Sequence, residues 1–133
     1  MSELPENISK DEIEKLIEEF GTSSMNVRLE LTKKIIALGK KAVPALIKGL
    51  SHNTWSVRQD CANALAEIGD DRAIEPLKKT LYDDEPGVRY ESARALAKIG
   101  GKKEKQLLLQ IADKTEDDEF RHFLYDCAKG KVD

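Results

Sequence analysis

Cysteine is scarce: Cys61 and Cys127 are the only two in 133 residues, and neither belongs to a Cys-x-x-Cys pair. That excludes a disulfide framework and a cysteine zinc site, and suits small buried thiols in a reducing compartment. No apolar stretch approaches the ~20 residues of a membrane span. The opening MSELPENISK lacks a basic n-region and an apolar segment, so it does not read as a signal peptide. A cytoplasmic location is the expectation. Aromatics make up only 5%, against 35% charged and 40% hydrophobic residues, which fits a helical protein with solvated outer faces better than a disordered chain. Excess positive charge is also missing. At net −3, non-specific attraction to nucleic acid or anionic lipid is not the default.

What the chain does have is a repeat. Val27-Arg28, Val57-Arg58, Val88-Arg89 and Phe120-Arg121 recur at spacings of 30, 31 and 32. About a dozen residues beyond the first three pairs come Gly39, Gly69 and Gly100. Between pair and glycine, Val57, Cys61, Leu65 and Ile68 form one helical stripe, as do Val88, Ser92, Leu96 and Ile99. Alanines between them favour helix and permit close approach. The glycines read as helix stops, and Gly69 and Gly100 are expected at positive φ.

A second helix follows each of the first two glycines. Val43, Leu46 and Leu50 precede Val57 by 14, 11 and 7 residues, and Ile74, Leu77 and Leu81 precede Val88 by the same offsets. Ile13, Leu16 and Phe20 stand likewise before Val27. Pro44 and Pro76 fall in first turns, where a missing N–H does no harm. Ser9-x-x-Glu12 is a capping-box match. The last repeat is irregular: Leu108, Leu109 and Ala112 fit after a one-residue insertion, and the proline is gone. The pattern predicts an all-α, α-α superhelix: one domain of eight helices of roughly 10–14 residues, stacked as antiparallel pairs. Its half-repeat spans about 9–25, its repeats about 26–56, 57–87 and 88–119, and a C-terminal half-repeat about 116–129.

The pattern V-R-x-x-x-A-x-A-L-A-x-I-G, then A-[IV]-x-P-L-x-x-x-L, resembles the HEAT-like repeat of phycobilisome lyases. Val57-Arg58 through Gly69 with Ala73 to Leu81, and Val88-Arg89 through Gly100, carry it. The first repeat departs mildly, with Leu29, Thr32, Lys34 and Ile35 in place of the alanine-rich run. The resemblance covers about Asp11 to Lys129. It implies a solenoid fold, and a functional range that includes bilin lyase subunits, protein-binding scaffolds, a DNA glycosylase group and deoxyhypusine hydroxylase. The last of these depends on repeated His-Glu pairs for iron. Here His52 is followed by Asn53 and His122 by Phe123, so that chemistry does not carry over. No cofactor or metal is expected.

The arginine column, Arg28, Arg58, Arg89 and Arg121, has an acid two positions later in three cases: Glu30, Asp60 and Glu91. It reads either as a ladder for an anionic partner or as inter-repeat salt bridges. A feature present at one slot in every repeat is architectural first. The runs Asp83-Asp84-Glu85 and Glu116 to Glu119 precede helix starts and suit helix capping first, with a hard cation as the alternative. No phosphate loop, nucleophile elbow or Cys/His pairing is visible.

The resemblance also implies that stacked second helices line one face. Opposite their apolar stripe, Lys48 and Lys79 are placed outward, with Tyr82 and Trp55 following. Rigid amphipathic aromatics beside flexible cations suit binding hot spots, although Trp55 and Tyr82 could instead close gaps between repeats. Charge comes in blocks. Residues 1–25 hold seven acids and two bases, residues 26–56 one acid and six bases, and residues 57–87 eight acids and four bases. The local cluster Lys33, Lys34, Lys40, Lys41 and Lys48 does not make the continuous basic track that a duplex needs. The expected function is a non-catalytic scaffold for a protein or peptide. The alternatives are an enzyme subunit acting on a bilin or other prosthetic group, and nucleic-acid binding by the local basic cluster.

Overall fold

The structure is a computed structural model that describes residues 3–132. Among these residues eight helices follow one another: α1 (Lys10–Glu18), α2 (Met25–Ala37), α3 (Val43–Gly49), α4 (Trp55–Ile68), α5 (Ile74–Thr80), α6 (Pro86–Ile99), α7 (Lys102–Lys114) and α8 (Asp118–Ala128). There is no strand among the described residues. The even-numbered helices form one layer, α2 on α4, α4 on α6 and α6 on α8. Each odd-numbered helix from α3 onward packs against the even one that follows it. The chain is an all-helical α-α solenoid.

The apolar stripes explain this order. Val57, Cys61 and Leu65 of α4 are buried, as are Val88, Ser92 and Leu96 of α6. Ala62, Ala64, Ala66, Ala93 and Ala95 are buried too, and α4 and α6 share the most extensive helix contact. Side chains this short let two helix axes come close. On the other layer, Val43, Leu46 and Leu50 of the α3 segment and Leu77 and Leu81 of the α5 segment are buried. Gly49 adds a contact that its sequence setting does not announce. A Cβ there would stand 2.3 Å from Cys61 Sγ, so α3 can lie on α4 only because position 49 has no side chain.

The starts are capped. Ser9 Oγ accepts from the Glu12 N–H at 3.1 Å while the Ser9 N–H donates to Glu12 Oε1 at 3.3 Å, a complete capping box. Asp117 Oδ1 accepts from the Phe120 N–H at 3.1 Å. Asp70 Oδ1 accepts from the Arg72 N–H at 2.9 Å and starts a 3-10 turn, Asp71–Ala73. Such turns, here and at Gly39–Ala42, shorten the helices behind them. α3 and α5 have 7 residues each and α1 has 9, below the expected 10–14.

Three further expectations are corrected. Gly69 has φ +79 and Gly39 has φ +62, as a left-handed helix stop requires, but Gly100 is extended at φ −82, ψ 179. Its role is space. Glu104, buried in the first turn of α7, folds back so that its Oε1 accepts from the Gly101 N–H at 2.8 Å. A Cβ on Gly100 would meet Glu104 Cγ at 2.5 Å. Val27 is 51% exposed, whereas its counterparts Val57 and Val88 are buried. Val57 Cγ2 packs beneath the end of the α1 segment, 3.3 Å from where a Gly21 Cβ would lie. Val27 instead lines an open cleft with Leu4, Leu16 and Leu31. In α7, Leu108 and Ala112 enter the core while Leu109 remains on the surface.

The two glycines should therefore respond differently. Gly69→Val is expected to cost on the order of 1 kcal/mol or more through backbone strain, in any background. Gly100→Ala should also destabilise, but most of its cost should vanish in a Glu104→Gly background, where both the Cβ and the Cγ that it would meet at 2.6 and 2.5 Å are gone. A double-mutant cycle by urea unfolding measures this coupling. Additive losses at positions 100 and 104 would contradict the contact.

Candidate functional site

The arginine column holds the turns between odd and even helices. Arg58 Nη1 donates to the His52 and Asn53 carbonyls at 2.8 and 3.1 Å. Arg89 Nη1 donates to the Asp83 and Asp84 carbonyls at 2.8 and 3.2 Å. Arg121 Nη2 donates to the Thr115 carbonyl. In each case the arginine sits one turn inside a helix and satisfies carbonyls six or five residues upstream. Backbone groups of a turn need such partners when the turn packs against a core.

Two arginines of the column, Arg28 and Arg58, reach across to the next repeat. Arg28 grips Asp60 through Nε (2.8 Å) and Nη2 (3.1 Å), and Arg58 grips Asp83 the same way (2.8 and 3.0 Å). Both are two-pronged guanidinium–carboxylate pairs and all four side chains are largely buried. Burial alone would raise the Asp83 pKa. The Arg58 hydrogen bond, the Glu85 N–H and the charges of Arg58 and Arg89 outweigh it and hold Asp83 below the usual carboxylate range. Glu67 is lowered chiefly by its Lys98 hydrogen bond, 2.6 Å long, with Arg94 beside it. Glu91 goes the other way: burial between α4 and α6 raises it, only partly offset by Arg94 and Asn63. Burial pushes the Cys127 thiol up to about 12 and raises Cys61 as well, so both are protonated at neutral pH and unsuited to nucleophilic work.

The odd-numbered helices form a face of open clefts. Between α1 and α3, a cleft of about 430 Å³ is lined by Glu14, Glu18, Lys48, Ser51 and His52. Lys48 Nζ bonds Glu14 Oε1 at 3.2 Å. His52 Nδ1 accepts from the Thr54 N–H at 3.0 Å, so its Nε2 carries the proton and donates to Glu18 Oε2 at 2.8 Å. Between α3 and α5 a smaller cleft of about 290 Å³ holds Lys79 and Tyr82. The largest of the three, about 620 Å³, lies between the turn that follows α5 and the α7 helix and contains Tyr82 again, with Arg89, Lys114, Thr115 and Phe120. Tyr82 is 69% exposed and forms a wall of both of the last two clefts.

The four residues singled out for this face therefore separate. Lys79 and Tyr82 share a cleft, Lys48 belongs to the neighbouring one, and Trp55 lines neither. Trp55 starts α4 and is 45% exposed, with the Arg28 guanidinium over its ring at 6.0 Å. It belongs to the arginine column. Glu14, Glu18 and His52 carry the matching polar contacts. Glu14 precedes Val27 by 13 residues and Lys48 precedes Val57 by 9, so no shared offset marks them as neighbours and only the stacked layers bring them together. The basic cluster is largely engaged: Lys33 with Glu30, Lys41 with the Glu6 carbonyl and Lys48 with Glu14.

Asp83→Asn tests the ladder. A carboxylate whose folded pKa is lowered stabilises the fold above its unfolded pKa of about 4. That contribution fades as pH falls through the lower folded value. The variant should lose on the order of 1 kcal/mol at neutral pH, and its stability should decline less steeply than wild type as pH falls below about 4. Urea unfolding across that range is the measurement. An acid limb as steep as that of wild type would show that the pair contributes nothing.

The HEAT repeat family matches over residues 13–87 and again over 43–124. No curated protein matches the chain. Ladder, stacked layers and paired helices are what the matched region, residues 13–124, contains, and the chain belongs to the HEAT repeat family.

Proposed function

We propose that this chain is a non-catalytic scaffold that holds a protein or peptide on the face of its odd-numbered helices. HEAT repeats typically serve protein interaction. The observation that carries the reading is Tyr82. It projects 69% exposed between two adjoining clefts, with Lys79 in one and Arg89 in the other. A tyrosine so placed offers a large rigid contact area at small entropic cost, beside cations that steer and orient an anionic segment. The two buried, protonated thiols suit a reducing compartment such as the cytoplasm. Within the family, the Val57-Arg58 to Gly69 pattern supports a narrower reading, a repeat of the phycobilisome-lyase type. The same face would then receive the protein that carries a prosthetic group.

Affinity capture from nuclease-treated source lysate tests this. Wild type should retain a protein that both Tyr82→Ala and the Lys48→Glu, Lys79→Glu double variant lose, with unchanged helical circular dichroism. Trp55→Ala should keep the partner and lose thermal stability, because the indole covers Arg28. Equal capture by all variants, or capture abolished by nuclease, would overturn the reading.

A further inference from the structure

The ladder has one unfilled rung. An arginine of this column finds its carboxylate in the next repeat at one of two slots, five residues before the helix-entry Val or Phe, or three after it. For Arg28 the slots are His52 and Asp60, and it takes Asp60. For Arg58 they are Asp83 and Glu91, and it takes Asp83. For Arg89 they are Thr115 and Phe123, and neither is an acid. Among the described residues Arg89 has no carboxylate partner, and its hydrogen bonds all leave from Nη1.

The slot itself keeps its shape. Asp83 Oδ1 accepts from the Glu85 N–H at 3.0 Å, and Thr115 Oγ1 accepts from the Asp117 N–H at 3.2 Å. Asp83 and Thr115 also each give a backbone carbonyl to the arginine that follows. They are the same turn position with and without a carboxylate. Arg89 is meanwhile held in place. Its Nη1 is tied to two loop carbonyls, and its guanidinium lies over the Phe120 ring at 5.6 Å. Among the described residues no buried side-chain nitrogen or oxygen lacks a partner, so the unbonded Nε and Nη2 both reach solvent. Arg89 and Thr115 line the largest cleft together. The nearby acids are committed or turned to water: Asp83 to Arg58, Asp117 to the Phe120 N–H, and Asp84 exposed.

We propose that the cleft between the turn after α5 and the α7 helix recognises an acidic side chain of a partner polypeptide, gripped by the Nε–Nη2 edge of Arg89 as Arg58 grips Asp83. This rests on the odd-helix face being the partner-binding surface, and it names the chemistry of the partner there. A pre-positioned guanidinium loses little entropy on forming a two-pronged bond. Tyr82 and Ile111 supply apolar wall beside it for the residues that flank the acid.

A random heptapeptide library displayed on phage and selected on the full chain tests the inference. Selected peptides should share one Asp or Glu. As synthetic amidated peptides they should lose roughly tenfold or more in affinity when that residue becomes its amide, and equally on Arg89→Gln. Thr115→Asp should abolish binding by filling the slot, and should melt above wild type with no ligand present. Peptides that need Tyr82 but carry no acid and bind Thr115→Asp unchanged would overturn this inference and leave the scaffold reading standing. Peptides indifferent to Tyr82, Lys79 and Arg89, or no enrichment, would overturn both. A Thr115→Asp variant that melts at or below wild type would overturn the match between slot and arginine.

Discussion

An arginine one turn inside each of α4, α6 and α8 ties the carbonyls of the turn before it. The rest of the architecture depends on that tie. A turn lying against a packed layer cannot leave its carbonyls unpaired, since each would forfeit its hydrogen bonds to water. One guanidinium answers two carbonyls and still has an edge left for a carboxylate one repeat away. The same side chain thereby closes a turn and sets how successive repeats register. Arg58 uses both functions, and Arg28 uses the second. Arg89 uses only the first, and it does so beside the largest cleft.

The two layers divide their labour by side-chain size. Between α4 and α6 the alanines bring helices together, and this contact is the spine of the solenoid. α1, α3 and α5 are short, and clefts separate the odd-numbered helices, so their outward side chains remain available. Glycine serves the two requirements differently. Gly69 turns the chain through a left-handed conformation, Gly49 makes room for Cys61, and Gly100 makes room for the arm of Glu104. Gly69 and Gly100 occupy the same slot in a repeat alignment, yet serve for different physical reasons.

Much of the fold was legible because a repeat multiplies its own evidence. Offsets of 14, 11 and 7 residues, shared by three segments, located the second helices, and Ser9-x-x-Glu12 located the first start. The candidate face was legible only in part. Lys48, Lys79 and Tyr82 point outward because the leucines beside them fill the core. Trp55 was misplaced because its slot lies at a helix entry, where sequence spacing does not say which layer a side chain joins. Val27 shares its register with Val57, yet burial depends on what lies above it, and that is absent from any local pattern.

By itself the sequence determined the helix count, the α-α architecture, the apolar stripes and the existence of an arginine column. These follow from periodicity, which is a property of neighbouring residues. Only the tertiary structure decided what the column does. Arg28 and Asp60 stand 32 positions apart, Arg58 and Asp83 only 25, so no single spacing identifies the partner. The choice depends on which acid the stacked layers bring within hydrogen-bond reach. Among the described residues the layers bring none to Arg89, because Thr115 and Phe123 occupy the places where an acid would stand.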